Sequence, residues 1–140
     1  MVMLMSNQQT TWLVSLHRWY AEELLNGTKL HEYRRVKMGA KPGDRVLVYA
    51  TYPDKVVLGE FIVGPGSLIG VTPAQALDHA DPRELRSLYT YFNHPKPAKS
   101  VTALQVTQAR RYGTPQTLQQ LCGLDRGPHS YRKATVINEP

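Results

Sequence analysis

A chain of 140 residues, 41% of them apolar, can bury one hydrophobic core and is not composed like a disordered segment. Seventeen Lys and Arg against eleven Asp and Glu leave a charge of +6, a moderate excess that favours polyanions such as RNA, DNA or anionic phosphates without singling one out; solubility alone is the competing account. One cysteine, Cys122, excludes an internal disulfide and a multi-cysteine zinc site, suits a reducing cytoplasm, and beside Leu121 and Leu124 reads as a structural thiol.

Residues 1–10 are expected to form a flexible tail ahead of a single domain over 11–140. The opening stretch is too short, and too polar after Met5, for a signal peptide, and no later run reaches membrane-spanning length. A cytoplasmic protein with no membrane contact is expected. The alternation of residues 12–16 predicts a first strand, with Val14 and Leu16 on one face. Residues 18–25 have helical spacing, and Gly27 supplies the usual residue just past a helix end. Residues 29–36 then read as strand, with Leu30, Glu32, Arg34 and Val36 on one face and Lys29, His31, Tyr33 and Arg35 on the other.

A turn through Gly39, Pro42 and Gly43 launches a strand over 45–50, whose Val46-Leu47-Val48 run predicts burial on both faces. Tyr52-Pro53-Asp54 turns the chain into a strand over 55–63 that Gly64-Pro65-Gly66 ends. Thr72-Pro73 and Asp81-Pro82 each open a helix, the second over 83–92. Residues 100–111 read as a long strand, Thr114-Pro115 as the start of a short helix through Leu121, and 134–137 as a final strand. The order β-α-β-β-β-α-α-β-α-β leaves several strands too close together for parallel crossover units. It predicts an α+β fold, a small mixed β-barrel with short helices at its edges, rather than a doubly wound sheet.

Lys29, Glu32 and Arg34 crowd the helix–strand junction. A strand does not need those charges so close together merely to pair, so they are expected to face a partner; a plain Glu32–Arg34 salt bridge is the competing account.

Several ordered segments resemble the ASCH domain, a branch of the PUA-like β-barrel superfamily. They are Gly27-Thr28-Lys29, then Glu32-Tyr33-Arg34, then Gly43-Asp44-Arg45-Val46-Leu47-Val48-Tyr49-Ala50, then Pro53 and Val57-Leu58-Gly59-Glu60-Phe61. Near the end, Pro128-His129-Ser130-Tyr131-Arg132 resembles the family's Pro-Gln-Ser-Tyr-Arg closure. The resemblance implies a PUA-like barrel with a basic cleft for RNA or a nucleobase. It leaves the activity open among RNA-binding modules, coactivator parts, amidohydrolases acting on acetylated cytidine, and small ribonucleases. The amidohydrolase branch carries a nucleophilic Thr three residues after the Lys; here that position is Glu32, which counts against deacetylation.

A metal-assisted nuclease needs converging carboxylates, but Glu32, Asp44, Asp54 and Glu60 are spread out, and His17, His31, His79, His94 and His129 have no helical partner spacing. Neither metal nor cofactor is expected. Metal-independent cleavage of RNA needs the ribose 2′-hydroxyl positioned, the phosphate charge stabilised and a proton delivered to the leaving 5′-oxygen. Tyr49 at a strand end and Lys55 across a tight turn can share a rim, and Ser130 of the family-like closure can bring a hydroxyl. These three are the expected catalytic residues. Lys29, Glu32 and Arg34 are expected to hold RNA, Tyr52 to stack on a base and Arg132 to extend the basic rim. Trp12, Trp19 and Tyr33 are further stacking candidates, Trp19 being more typical of a core residue.

The leading expectation is a single-stranded RNA-binding ASCH protein that cleaves RNA without metal. A non-catalytic reader of RNA or of a modified nucleobase is the first alternative, and a hydrolase of a modified nucleoside the second. Oligomeric state is not legible.

Overall fold

The computed structural model describes residues 8–140. Residues 1–7 of the expected tail lie outside the described residues. Of its remainder, Gln9 donates from Nε2 to the carbonyl of Gly43 at 3.1 Å and the Thr10 amide donates to Asp44 Oδ1 at 3.0 Å. Asp44 also accepts from Trp12 Nε1 at 3.0 Å and from Lys41, so a buried carboxylate ties the chain entry to the turn before the core strand. Those donors hold the Asp44 carboxyl below its ordinary range against the opposing effect of burial, which is the largest single influence on it.

Seven strands form the sheet: β1 (Thr11–Leu16), β2 (His31–Arg34), β3 (Arg45–Ala50), β4 (Val56–Val63), β5 (Leu68–Val71), β6 (Val101–Gln116) and β7 (Tyr131–Lys133). Their order is β2-β6-β4-β3-β1-β7, with β5 on β6. β1 and β3 run parallel, Ser15 beside Tyr49, and every other pairing is antiparallel. The result is a curled, mixed half-barrel with short helices, an α+β fold as expected. β1 and β3 are parallel because α1 (Arg18–Leu25) and β2 supply the crossover between them.

α1 buries Ala21, Leu24 and Leu25 against Trp12, Val14, Val46, Val48 and Phe61. Burying each leucine contributes about 1.5–3 kcal/mol. A second core lies beneath α4 (Leu118–Cys122) and holds Leu13, Leu47, Tyr49, Val57 and Tyr112. A third packs α2 (Pro73–Asp78) and α3 (Leu85–Asn93) over Tyr33, Val101 and Ala103. Among the described residues no helix is long and apolar enough to cross a membrane.

Four expectations about elements need correction. Leu68–Val71 is a strand, although its Gly and half-buried side chains hide the alternation. Residues 82–84 form a 3-10 turn ahead of α3. The last helix starts after Thr117, not at Thr114-Pro115, because the ladder Val57–Gln116 keeps the chain extended that far. The final strand is Tyr131–Lys133, paired with β1, and the more apolar 134–137 makes no strand. Trp19 is also not core: it is 59% exposed and stacks on Tyr20 at 4.1 Å, whereas Trp12 and Tyr33 are buried.

Candidate functional site

Side-chain alternation on β2 turns Glu32 and Arg34 to one face, while Tyr33 faces α3 and meets Phe92 edge-on at 6.0 Å. Glu32 and Arg34 are only 5% and 9% exposed. Arg34 Nε donates to Glu32 Oε2, Nη1 donates to Ser130 Oγ at 3.1 Å, and Nη2 donates to the Ser15 carbonyl at 3.1 Å. Burial pushes the Glu32 carboxyl above its ordinary range, and Arg34 only partly offsets this. β2 stands at one end of the strand order, β7 and β1 at the other, so Arg34 spans the open seam of the half-barrel where no backbone ladder connects the two ends.

Above this seam lies a cavity of about 100 Å3, walled by Leu16, Tyr20, Lys29, His31 and, from α3, Tyr91. Lys29 Nζ lies 2.8 Å from Glu84 Oε2 and 4.9 Å from the Tyr20 ring centre. Burial alone would lower the Lys29 pKa, but Glu84 outweighs it and the net shift is upward. Burial holds the His31 imidazole below its ordinary value, with Glu84 acting the other way. Both cations of the cavity are thus already paired, Lys29 with Glu84 and Arg34 with Glu32. The cavity is well below the roughly 300–1,000 Å3 of pockets for drug-sized ligands. It suits one small group with hydrogen-bonding edges, not a length of chain.

Tyr49 and Lys55 line a different, open concavity of about 350 Å3, with Leu118, Gln119 and Leu124. The register of β3 against β4 shifts between Val48 and Tyr49, and such an irregularity re-aims the side chain beside it. Tyr49 is buried against the core beneath α4, and burial raises its phenol above the ordinary value. Gly127 makes room for that ring, since a Cβ there would lie 2.5 Å from Tyr49 Cε2. Lys55 is exposed, with Nζ 5.7 Å from the Tyr52 ring centre, and its φ of +55° is a left-handed conformation uncommon outside glycine.

The segment Gly127–Ser130 lines neither concavity but touches one wall residue of each. Gly127 packs on Tyr49, while Ser130 Oγ accepts from Arg34. The Ser130 carbonyl accepts from the Ser15 amide at 2.9 Å, and Ser15 Oγ donates to the Pro128 carbonyl at 2.6 Å. Ser15 is the β1 neighbour of Tyr49, one strand spacing of about 4.7–4.9 Å away.

No family model matches this chain, and no curated protein does. Solved structures do. ASCH from Zymomonas mobilis superposes with a TM-score of 0.70 at 18% identity, over 90% of this chain and 88% of that one. A Tyr→Phe mutant of the same protein gives 0.69 at 18% identity, over 89% of this chain and 90% of that one. This chain has the ASCH fold. A hypothetical protein from Leishmania major is more distant, with a TM-score of 0.50 at 18% identity over 81% of this chain and 73% of that one.

Within its ASCH fold, the chain gathers Lys29, Glu32 and Arg34 into one cavity, joins Ser130 to them through Arg34, and sets Tyr49 with Lys55 in the neighbouring concavity. Tyr52 is 79% exposed beside Lys55. Arg132 is exposed on β7, with Nε donating to the Lys133 carbonyl at 2.9 Å. Sequence reasoning missed Ser15 and Tyr20, set His31 aside as isolated, and left the Tyr89-Thr90-Tyr91-Phe92 run between core and stacking platform. Ser15 was signalled only by being a polar residue in an otherwise apolar strand, and the others by nothing local. Among the described residues, no three His, Cys, Asp or Glu side chains gather into a metal-holding group.

Proposed function

We propose that this protein binds single-stranded RNA, seating one base in the cavity over Glu32 and Arg34, and cleaves the strand without a metal ion. The observation that carries this reading is the Gly127–Ser130 segment, which links Arg34 in the wall of the small cavity to Tyr49 in the wall of the Tyr49–Lys55 concavity. The ASCH fold and the net charge of +6 support it. So do the solved structures of a Tyr→Phe and a Ser→Ala mutant of Zymomonas mobilis ASCH, the residue types of Tyr49 and Ser130.

In this reading Glu32 accepts from a base edge or ribose hydroxyl, and Ser130 Oγ donates to the phosphate. The 2′-hydroxyl gives its proton to solvent water as its oxygen bonds to phosphorus, and Lys55 stabilises the negative charge that builds on the phosphate oxygens. Tyr49, kept protonated by burial, donates to the departing 5′-oxygen. Lys29 and Arg132 steer the strand, and Tyr52 offers an exposed ring for stacking, worth about 1–3 kcal/mol per base.

The test is labelled single-stranded RNA in excess EDTA. Wild type should shorten it, and Lys55→Ala and Tyr49→Phe should slow cutting by about 10²–10⁴-fold while RNA affinity stays within a few-fold. RNA that binds but is never shortened would instead make the protein a non-catalytic reader. That second reading is favoured by the pairing of both cavity cations, which equips the cavity for a neutral base rather than a phosphate.

A further inference from the structure

The chain alternates outward immediately after Arg34. Arg35 donates from Nη1 to the His94 carbonyl at 2.8 Å and from Nη2 to the Lys96 carbonyl, drawing the loop after α3 onto the end of β2. This brings Lys96 and Lys99 to Lys37, whose aliphatic stem lies across Gly70. A Cβ on Gly70 would sit 2.8 Å from Lys37 Cγ, and its φ of +65° likewise favours glycine. The groove so formed, about 470 Å3, is lined by Arg35, Val36, Lys37, Lys96, Ala98 and Lys99 among others, with four cations and no acid.

Eight other cations of the fold are balanced by acids, although among the described residues Lys55, Arg86, Arg126, Arg132 and Lys133 are not. Arg18, Lys29, Arg34, Lys41, Arg45, Arg83, Arg110 and Arg111 all pair with carboxylates, whereas none of the four groove cations makes an ion pair among the described residues. Arg35 Nε is moreover buried without a hydrogen-bond partner, the kind of orphan that an ordered water or ion normally satisfies. Four like charges in one groove repel each other unless an anion sits among them.

We infer that this groove is a second contact surface for the RNA strand, gripping the phosphodiester backbone beyond the base held in the cavity. The inference rests on the RNA reading above. Two connections along the chain tie the groove to the cavity, although no residue lines both: Arg34 and Arg35 are consecutive, and α3, which supplies Ser87, Leu88 and Tyr91 to the cavity wall, runs directly into the loop carrying Lys96 and Lys99.

The experiment compares wild type with a Lys96→Ala/Lys99→Ala variant, both substitutions being at exposed positions. The probes are a 2′-O-methyl single-stranded RNA of twelve nucleotides, which cannot be cut, and a 2′-O-methyl dinucleotide too short to span both surfaces. The variant should bind the long probe about tenfold more weakly near physiological salt. Its plot of log affinity against log salt should be shallower by about 1.4, at about 0.7 per lost single-strand phosphate contact. Dinucleotide affinity should not change.

Equal affinity and slope for the long probe in both proteins would overturn the groove assignment and leave RNA binding standing. Equal weakening of the dinucleotide would also overturn it, by showing that the lysines act at the cavity itself. Failure of wild type to bind the long probe would sink this inference together with the reading beneath it.

Discussion

His31 lines the cavity half-buried, and burial lowers its pKa from the ordinary 6.5. Below pH 6.5 the unfolded chain takes up a proton there before the folded chain does, so this residue's contribution to stability is lost as pH falls. Glu32, raised by burial, acts in the opposite sense, because its folded form protonates first and gains stability as pH falls. The difference between wild type and His31→Asn therefore isolates the histidine. Thermal midpoints measured from pH 7.5 to 5 should drop more for wild type than for the variant, and parallel curves would contradict the assignment. At this scale the sequence was partly legible. Glu32 and Arg34, two apart on a strand, announce a shared face. His31, Tyr20 and Tyr91 acquire their places only because α1 and α3 lean over β2, which no local pattern encodes.

The elements most legible were those with unambiguous periodicity and punctuation: α1, ended before Gly27, and β3, launched by Pro42-Gly43-Asp44. Where two start signals compete, long-range pairing decides. Thr114-Pro115 and Thr117 both look like helix starts, but β6 pairs with β4 as far as Gln116, so the reciprocal cap forms at Thr117 with Gln120. Thr117→Ala should therefore cost about 1 kcal/mol, read as a lower urea midpoint, whereas Thr114→Ala should cost less than about 0.5 kcal/mol. α4 carries Leu118 and Leu121 against Tyr49, so the same cap also steadies the proposed proton donor.

For the molecule as a whole, the decisive feature is how a half-barrel is closed. Arg34 ties β2 to Ser130 and Ser15 from the far end of the strand order, and Glu32 balances its charge. Arg34→Ala leaves the Glu32 carboxylate buried without its partner and should lower stability by about 3–5 kcal/mol in urea unfolding. Replacing both residues with methionine should recover most of that loss while abolishing base binding. The α+β barrel class was readable from strand spacing, but this closure was not. Nothing near residue 34 in the sequence points to a hydroxyl 96 positions away.

That separation also orders events during synthesis. A ribosome releases α1, β2 and β3 long before the stretch around Ser130, so the emerging polypeptide carries its charged residues with their eventual neighbours still missing. Only when residues 127–130 dock does Tyr49 gain the cover of Gly127 and Ser15 its hydrogen bonds. Docking of residues 127–130 is thus the step that completes the surroundings of Arg34 and Tyr49 together.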